Sequence, residues 1–400
     1  MAGVSVLGSG GETVTLSFTS GLNALLAQDL ANSVSLAVKS GTLKPIDYTG
    51  GVLPISSSGE DEEIVIKANG SLFLPSKATA IINTASSAVL FGGGAPDETV
   101  LSGDGNLTFF TNGGSGIIAA GDGNNRIVQQ GSGSWNINTG AGNNEILIAG
   151  GNNTVAAGTG SNSILLSGGN NLINSTGNDI IQAVAGNDTI VASGTSPVQV
   201  EGVKAKLTFV GGGGPATVLG GQGSATIFAT SGGDFRGGTA GHNYILGGNG
   251  PTTIAGGGNG DVLYATGSGP TQIFAASGNE TLDASLSTGT DTLTASSGHD
   301  QLIGGFGSDT LVGGLGASTM QGGSGNDTFE FISGLASKSL IVDFSAIDGD
   351  KIKLVGYGSH EVDYATSHEQ VGAGETTVTL SDSTKIVFTN VTDISKTSFS

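Results

Sequence analysis

Carboxylates recur at a fixed spacing in the C-terminal third of this 400-residue chain, where Asp291, Asp309 and Asp327 lie 18 residues apart. The chain carries 33 acidic and 13 basic residues, a net charge of −20. The negative electrostatic potential of such a chain attracts cations, whereas binding to nucleic acid or to an anionic membrane would require a positively charged surface. Cation binding is therefore the chemistry that these residues suggest. Cysteine is absent, which excludes disulfides and thiolate metal sites.

The sequence lacks the residue patterns that catalysis or an organic cofactor requires. Its four histidines are His242, His299, His360 and His368, and the last two have no second histidine four positions on, so the zinc-protease helix is absent. Phosphate-binding and dinucleotide-binding glycine motifs need a following helix, whereas the glycine-rich turns here recur without one. We therefore expect a protein that is not an enzyme, with no catalytic and no cofactor-binding residues.

Apolar residues recur about every nine positions between Val100 and Phe329. A spacing that persists over so long a stretch is the signature of a repeat architecture. The pattern lapses near 198–209 and breaks at Arg236. The predicted inward residues are Val100, Phe109, Ile118, Ile127, Ile137, Ile146, Val155, Ile164, Leu172, Ile181, Ile190, Val218, Ile227, Ile245, Ile254, Leu263, Ile273, Leu282, Leu293, Leu302, Leu311, Met320 and Phe329.

The clearest units are the contiguous nonapeptides 304–312, 313–321 and 322–330, with the pattern Gly-Gly-x-Gly-x-Asp-x-apolar-x. Glycine allows the positive φ angles of a tight turn, and the short segment that follows reads as a strand with one inward side chain. A turn plus a short strand is half a coil, so two units form a coil of 18 residues. The sequence therefore predicts an all-β fold, a long parallel β-roll or β-solenoid with a small α+β N-terminal cap and a β-rich C-terminal cap.

This pattern resembles the RTX (repeats-in-toxin) family, whose nonapeptide β-roll binds calcium. The resemblance covers roughly residues 93–330 and is strongest in 286–330. In that family the aspartate two residues before the apolar position helps to hold an ion between neighbouring turns, and all-oxygen sites suit Ca²⁺ better than Mg²⁺. By that analogy Asp291, Asp309 and Asp327 stack on one edge and Asp300 lies on the other, between Glu280 and Ser318. The remaining candidate ligands are the carbonyls of Gly305, Gly307, Gly323 and Gly325 and the carboxylates of Asp179, Asp188, Asp343 and Asp350.

Upstream, asparagine replaces aspartate at the same position. Asparagine is neutral and a weaker cation ligand, and stacked amides can form a hydrogen-bonded ladder that avoids like-charge repulsion. We therefore expect calcium mainly in the C-terminal repeats and asparagine stacking in the middle. For Asp234 and Asp261 the sequence leaves open a ligand or a solvated turn residue. The upstream series reads Asn125, Trp135, Asn144, Asn153, Asn162, Asn170, Asp179 and Asp188.

Composition divides the chain into three segments. Residues 1–90 form a cap or assembly domain that contains a strand, a helix and further strands. Residues 91–330 form the roll, and residues 331–400 follow it. The last segment resembles an RTX closing segment with a type I secretion signal, and no N-terminal Sec signal is recognisable. In the first segment Ser20 is a candidate helix cap. The helix either faces the core of the cap or binds a partner. Its predicted apolar face is Leu22, Leu25, Leu26, Leu30, Val34 and Val38.

These features together favour a secreted, calcium-binding structural protein of the bacterial exterior. Outside the cell, calcium would drive its folding, and a homo-polymer would form a surface layer, an extracellular fibre or a biofilm matrix. The alternatives are a monomeric saccharide-recognition or adhesin module with a cell-surface glycan as partner, a contact-dependent glycine-rich toxin, and an enzyme with an unrecognised N-terminal site.

Overall fold

The computed structural model describes residues 2–19, 21–54, 59–372 and 374–400. The chain forms two compact units, Met1–Lys206 and Leu207–Ser400. Each is mostly β-structure and contains two parallel sheets whose strands alternate along the chain, which confirms the predicted all-β solenoid. None of the helices described is long and apolar enough to cross a membrane.

Unit 1 begins with an antiparallel hairpin and one long helix, and stacked coils follow. Sheet I contains β3, β4, β6 and the even-numbered strands to β18, and sheet II contains the odd-numbered strands from β5 to β19. The elements are β1 (Ala2–Leu7), β2 (Thr13–Phe18), α1 (Gly21–Ser40), β3 (Leu43–Tyr48), β4 (Asp61–Ile66), β5 (Gly70–Phe73), β6 (Ala78–Asn83), β7 (Ser87–Phe91), β8 (Glu98–Ser102), β9 (Asn106–Phe110), β10 (Gly116–Ala120), β11 (Arg126–Gln129), β12 (Trp135–Asn138), β13 (Glu145–Ile148), β14 (Thr154–Ala157), β15 (Ser163–Leu166), β16 (Leu172–Ser175), β17 (Asp179–Ala183), β18 (Asn187–Ala192) and β19 (Val198–Gly202).

Unit 2 repeats this plan. Sheet III contains β20, β22, β24, β26, β29, β31, β33, β35 and β39, and sheet IV contains β21, β23, β25, β27, β30, β32, β34 and β36. The elements are β20 (Lys206–Val210), β21 (Ala216–Leu219), β22 (Ala225–Phe228), β23 (Ser231–Arg236), β24 (Tyr244–Leu246), β25 (Asn249–Ala255), β26 (Val262–Gly267), β27 (Thr271–Phe274), β28 (Ser277–Gly278), β29 (Thr281–Ser287), β30 (Thr292–Thr294), β31 (Ser297–Gly305), β32 (Thr310–Val312), β33 (Ala317–Gly323), β34 (Thr328–Ile332), β35 (Lys338–Ile341), β36 (Lys351–Val355), α2 (Glu361–Ser367), β37 (Glu369–Val371), β38 (Glu375–Thr379) and β39 (Lys385–Thr389).

One inward side chain per strand fills the core of each unit. The register agrees with the predicted spacing except at three places. Near 198–209, where the sequence predicted a lapse, Val200 and Phe209 are buried and pair with Ile181 and Ile227, so the inward register continues. Ile173 points inward and pairs with Val155 and Ile190, so the prediction of Leu172, which is 39% exposed, was wrong by one residue. In unit 2 the buried residue is Phe235, so the predicted break at Arg236 is a step of eight residues and not an interruption. At Leu172 the neighbouring Ile173 is also apolar, and spacing alone does not tell which of the two faces inward. At Phe235 a strict step of nine from Ile227 passes the apolar residue by one position.

The N-terminal helix packs sideways against the outer face of sheet I. The buried face of the helix consists mainly of small side chains. Together with the hairpin β1–β2 and the outer face of sheet I it forms a second hydrophobic core. Leu25, predicted to face the core, is 67% exposed, because alanine lets the helix approach the flat sheet closely. The proposed cap Ser20 and the side chain of Leu22 lie outside the residues described. The residues of this core are Val4, Val6, Val14, Leu16, Phe18, Ala24, Ala27, Ala31, Val34, Val65, Ala80, Ile82, Leu101 and Ala119.

The stacked coils extend on both sides of the glycine-rich segment. They begin at β3, within the segment 1–90 assigned to a cap, and parallel pairing continues through β35, β36 and β39, within 331–400. The first coils use apolar strands with few glycine turns, so glycine content did not reveal them. At the C-terminal end β37, β38 and β39 form an antiparallel meander.

Candidate metal centre in the repeat turns

The side chain two residues before each inward residue lies beneath the turn, and in unit 1 these side chains form hydrogen-bonded ladders. Before sheet II the ladder consists of Asn125, Asn144, Asn162 and Asp179, all buried. The backbone N–H and the Nδ2 of Asn144 both donate to Oδ1 of Asn162, at 3.0 and 2.8 Å. Asn162 donates in the same way to Oδ1 of Asp179, at 3.1 and 2.7 Å. The predicted asparagine stacking is thus present.

The side-chain amide also satisfies the glycine turn that surrounds it. Nδ2 of Asn144 donates to the carbonyls of Gly142 at 2.8 Å and Gly140 at 3.4 Å. Nδ2 of Asn125 donates to the carbonyls of Gly123 and Gly121 at 2.7 and 3.1 Å. The turn therefore presents carbonyl oxygens to a central position, and the partly positive amide hydrogens of asparagine fill it.

The ladder before sheet I contains Trp135, Asn153, Asn171 and Asp188. Asn171 donates to Oδ1 of Asp188 at 2.8 Å, so the predicted member Asn170 was wrong by one residue, for the same reason as Leu172. Asn170 instead belongs to an exposed row, in which its backbone N–H donates to Oδ1 of Asn152. The repeated Gly-Asn-Asn triplets of the sequence are the signal for this second row, because their two adjacent asparagines supply one member to each row.

In unit 2 an aspartate stack occupies the equivalent position before sheet IV, as the 18-residue spacing predicted. The backbone N–H of Asp291 donates to Oδ1 of Asp309 at 2.8 Å, and that of Asp309 donates to Oδ1 of Asp327 at 2.9 Å. The backbone N–H of Asp327 donates to Oδ1 of Asp350 at 3.0 Å, so the stack includes the predicted Asp350. Neighbouring strands confirm the register, since Thr292, Thr310 and Thr328 pair in line.

In three members of the stack the second carboxylate oxygen has no protein partner, whereas that of Asp350 accepts from the Ser345 N–H at 2.8 Å. Oδ2 of Asp291, Asp309 and Asp327 is buried and accepts no hydrogen bond among the residues described. Because Oδ1 accepts the same bond as in the asparagine ladder, Oδ2 takes the place of the amide Nδ2. A carboxylate oxygen therefore replaces a donor beneath a turn of carbonyl oxygens, an arrangement that is electrostatically unfavourable without a positive charge.

The predicted glycine ligands border this position. A methyl group on Gly325 would lie 1.8 Å from the carbonyl oxygen of Gly307, and one on Gly323 would lie 2.3 Å from that of Gly305. A methyl group on Gly304 would lie 2.8 Å from Oδ2 of Asp309. Only glycine fits such close approaches, and Gly305, Gly323 and Gly325 also have positive φ. The carbonyl of Gly305 also accepts a hydrogen bond from Ser324.

Burial raises the pKa of the stacked carboxyl groups. The pKa of Asp309 rises to about 7 and that of Asp327 to about 6, first through desolvation and then through the charges of neighbouring aspartates, while backbone hydrogen bonds oppose the rise. The pKa values of Asp291 and Asp350 are raised for the same first reason. The ionised stack is therefore costly by itself, and a cation would relieve that cost.

These donors fit calcium. The described residues contain no group of three or more histidine, cysteine, aspartate or glutamate side chains placed to hold a metal. A site here must therefore combine one or two carboxylates with main-chain carbonyls, and such oxygen ligands in a flexible number suit Ca²⁺. When bound, calcium would supply the positive charge that the unpartnered Oδ2 atoms lack.

The other edge of unit 2 is less uniform. The backbone N–H of Glu280 donates to Oδ1 of Asp300 at 3.0 Å, while Oδ2 of Asp300 accepts from the Ser296 N–H at 2.8 Å. Both carboxylate oxygens of Glu280 are buried without a partner, and its pKa rises to about 8, mainly by desolvation and then through Asp300. Ser318 continues this edge, as predicted. On this edge Glu280 is therefore the carboxyl group that a bound cation would stabilise most, since both of its oxygens lack a partner whereas both oxygens of Asp300 accept hydrogen bonds. The sequence pattern did not predict Glu280 as a ligand.

The other predicted aspartates divide into two groups. Asp179 and Asp188 end the asparagine ladders; Oδ2 of Asp179 accepts from the Ser175 hydroxyl, whereas Oδ2 of Asp188 is unpartnered. Burial raises the pKa of Asp188 to about 6. The carboxylate of Asp343 accepts from the N–H groups of Gly322 and Gly323, both at 2.9 Å, and so stands outside the stack.

Asp234 and Asp261, for which the sequence left two roles open, have different environments. Asp234 faces outward and forms an ion pair with Arg236, at 3.0 Å. Asp261 is buried and accepts from Asn243 with Oδ1 and from Gly257 and Gly258 with Oδ2, so it belongs to a ladder.

Comparison with known families agrees with this geometry. The family model of the RTX calcium-binding nonapeptide repeat matches in four copies, over residues 148–194 and 274–330. No curated protein matches the sequence. The matched segments contain the ends of both asparagine ladders and the aspartates Asp291, Asp309 and Asp327. The repeats and the solenoid fold of the chain therefore fit an RTX calcium-binding repeat family.

Proposed function

We propose that this chain is a secreted, non-enzymatic structural protein of the bacterial exterior that binds calcium in unit 2 and assembles with copies of itself. One observation carries the proposal. The aspartate stack of unit 2 directs buried, unpartnered carboxylate oxygens toward the position that an asparagine amide fills in unit 1.

The difference between the stacks implies two kinds of coil. Unit 1 supplies its own partial positive charge through Asn125, Asn144 and Asn162, so its coils need no ion there. At neutral pH unit 2 must either bury several carboxylates without partners or bind cations. Calcium binding is then coupled to folding of unit 2, as in other domains whose metal sites form only in the folded state.

This coupling suits a protein that is exported and folds outside the cell. Cytosolic calcium is scarce, whereas extracellular modules bind it at about 10⁻⁴–10⁻³ M. RTX-type repeats favour type I export, with residues 331–400 as the signal-bearing segment. Three of the four histidines support a non-catalytic role: His242 and His299 lie in repeat segments, and His368 stacks on Tyr364. Self-assembly follows from the parallel coils, whose regular outer faces offer extended surfaces for packing.

Calorimetry of the full-length protein with calcium and in calcium-free buffer tests the folding part. We expect one transition that is nearly indifferent to calcium and a second that rises strongly with it. Equal responses of both transitions, or none, would contradict the proposed division. Electron microscopy with calcium tests assembly: ordered fibres or sheets are expected, and dispersed monomers at high concentration would refute it.

A further inference from the structure

Unit 1 carries two outward apolar surfaces, and only one is covered by the described part of the chain. On sheet I the outward residues Val65, Ile82, Leu101 and Ala119 are buried beneath α1 and the β1–β2 hairpin. Sheet II has a comparable outward column on which no described element of unit 1 packs. This column, the outer stripe, consists of Phe73, Phe91, Phe110, Val128, Leu147 and Leu165 in register on successive coils.

From this surface we propose that sheet II of unit 1 is a self-association face, on which a second copy of the chain packs. The inference rests on the proposed function, because it names the face through which assembly proceeds. Besides the outer stripe and its continuation Gln182 and Glu201, the face contains a second outward column. That column is Ser71, Val89, Thr108, Arg126, Glu145, Ser163, Ile180 and Gln199.

Charge selects a copy of the same chain as the partner. Each copy carries a net charge of −20, so most surfaces of two copies repel each other. The two columns of sheet II contain three charged residues, Arg126, Glu145 and Glu201, and the first two form an ion pair at 2.6 Å. This nearly neutral face is therefore a place where two acidic copies can approach without a large electrostatic cost.

The order of residues along the four central strands of the face, β9, β11, β13 and β15, is self-complementary. In a two-fold arrangement with the axis along the strands, midway between β11 and β13, one copy's first coil faces the other's eighth. Arg126 then faces Glu145, and the reverse contact follows by symmetry. The same operation places Val128 against Leu147 and Phe110 against Leu165. Thr108 faces Ser163 and Val89 faces Ile180, so residues of like character meet. Farther out, Phe91 faces Gln182 and Phe73 faces Glu201, so the apolar contact is confined to the centre of the stripe.

The aromatic rings favour this packing over saccharide binding. Phe73 and Phe91 stack at 4.5 Å between ring centroids, and Phe91 and Phe110 stack at 5.0 Å. The guanidinium of Arg126 lies over Phe110, 5.5 Å from its centroid. Both faces of Phe91 and Phe110 are therefore occupied, and among these three rings only Phe73, at the end of the stripe, is stacked on a single face. A sugar ring needs a free aromatic face, whereas an apolar sheet packs against edges readily.

The size of the face predicts weak, reversible pairing. Eight strands at about 4.8 Å span about 34 Å, and a strand of four or five residues is about 15 Å wide, which gives about 500 Å² on each copy. The total of about 1,000 Å² is near the lower limit of specific interfaces. Higher concentrations are therefore needed to observe the dimer.

Sedimentation velocity of the full-length protein in calcium, over a concentration series, tests the proposal. We expect concentration-dependent dimerisation of the wild type and at least a tenfold weaker dimer for V128T/L147T/L165T, since threonine retains strand propensity and removes the apolar stripe. The matched control is Leu172→Thr, an outward leucine on sheet I, which should dimerise like the wild type. Circular dichroism establishes that each variant is folded.

Charge exchange and cross-linking test the symmetry. R126E should weaken the dimer, and R126E/E145R should restore it. Because the chain has no cysteine, T108C/S163C should form a covalent dimer with a short bifunctional thiol reagent, whereas T108C alone should not. In one chain these two positions lie three coils apart, beyond such a reagent's reach.

The outcomes separate this proposal from the proposed function. Ordered assembly or dimerisation that survives V128T/L147T/L165T overturns the face assignment and leaves calcium-dependent assembly standing. A wild type that stays monomeric at high concentration overturns both self-association and this face. A monomer whose sheet II binds a soluble oligosaccharide would assign the face to a glycan and also overturn the proposal.

Discussion

Replacing Asp309 by asparagine should stabilise unit 2 when calcium is absent. The substitution converts the unpartnered Oδ2 into an amide that can donate to the carbonyls of Gly305 and Gly307, as Asn144 donates to Gly140 and Gly142. It also removes a buried carboxyl group flanked by two others. The variant therefore replaces one calcium-type turn with the asparagine-type turn of unit 1.

The expected magnitude follows from the pKa of Asp309. A carboxyl group with a pKa of about 7 in the folded chain and 3.8 in the unfolded chain destabilises the folded state at pH 7.5 by about 4 kcal/mol. D309N removes this cost. In a unit of nearly 200 residues each kcal/mol raises the melting temperature by about 2–4 °C, so the expected increase is about 10 °C.

Scanning calorimetry in calcium-free buffer at pH 7.5 measures this change, and the same scan with calcium measures the loss of the calcium response. D234N is the control, because Asp234 is outward-facing and its ion pair with Arg236 is worth at most about 1 kcal/mol. A D309N protein that melts at or below the wild-type temperature without calcium would refute the view that the amide substitutes for the ion.

Three further predictions address the ladders, the titration and the register. N144D should destabilise unit 1 by about 2–4 kcal/mol in calcium-free buffer, because it loses the donors to neighbouring acceptors and buries a carboxylate; hydrogen exchange of unit 1 amides measures this. The pKa values of Asp309 and Asp327 are raised on folding, so the free energy of unfolding without calcium should be greatest below about pH 4 and should fall as the pH rises to about 7. Urea titrations with and without calcium measure this, and calcium should reverse the loss. Ile173→Ala should cost about 2–4 kcal/mol and Leu172→Ala less than 1 kcal/mol by chemical denaturation, and the opposite order would contradict the assigned register.

Much of the candidate site could be predicted because coil length is a local property. Two turns and two short strands close in 18 residues, so residues 18 apart, such as Asp291 and Asp309, must lie on the same edge. Burial beneath a turn then places asparagine amides and aspartate carboxylates in line. The resemblance to the RTX pattern suggested calcium as the ion. Only the structure identified Oδ2 of Asp291, Asp309 and Asp327 as the oxygens that lack a partner.

The sequence by itself determined the repeat, its period, the division between asparagine and aspartate turns and the stacking of Asp291, Asp309 and Asp327, since all of these depend on spacing and residue type. Only the tertiary structure decided which of two adjacent apolar residues faces inward, as with Leu172 and Ile173, because that choice depends on pairing with strands a coil away. It also decided that α1 packs through alanines on the side of sheet I, since close approach to a flat sheet outweighs hydrophobic bulk. The outer stripe of sheet II became visible for the same reason: alignment between coils, and not order along the chain, brings its residues together.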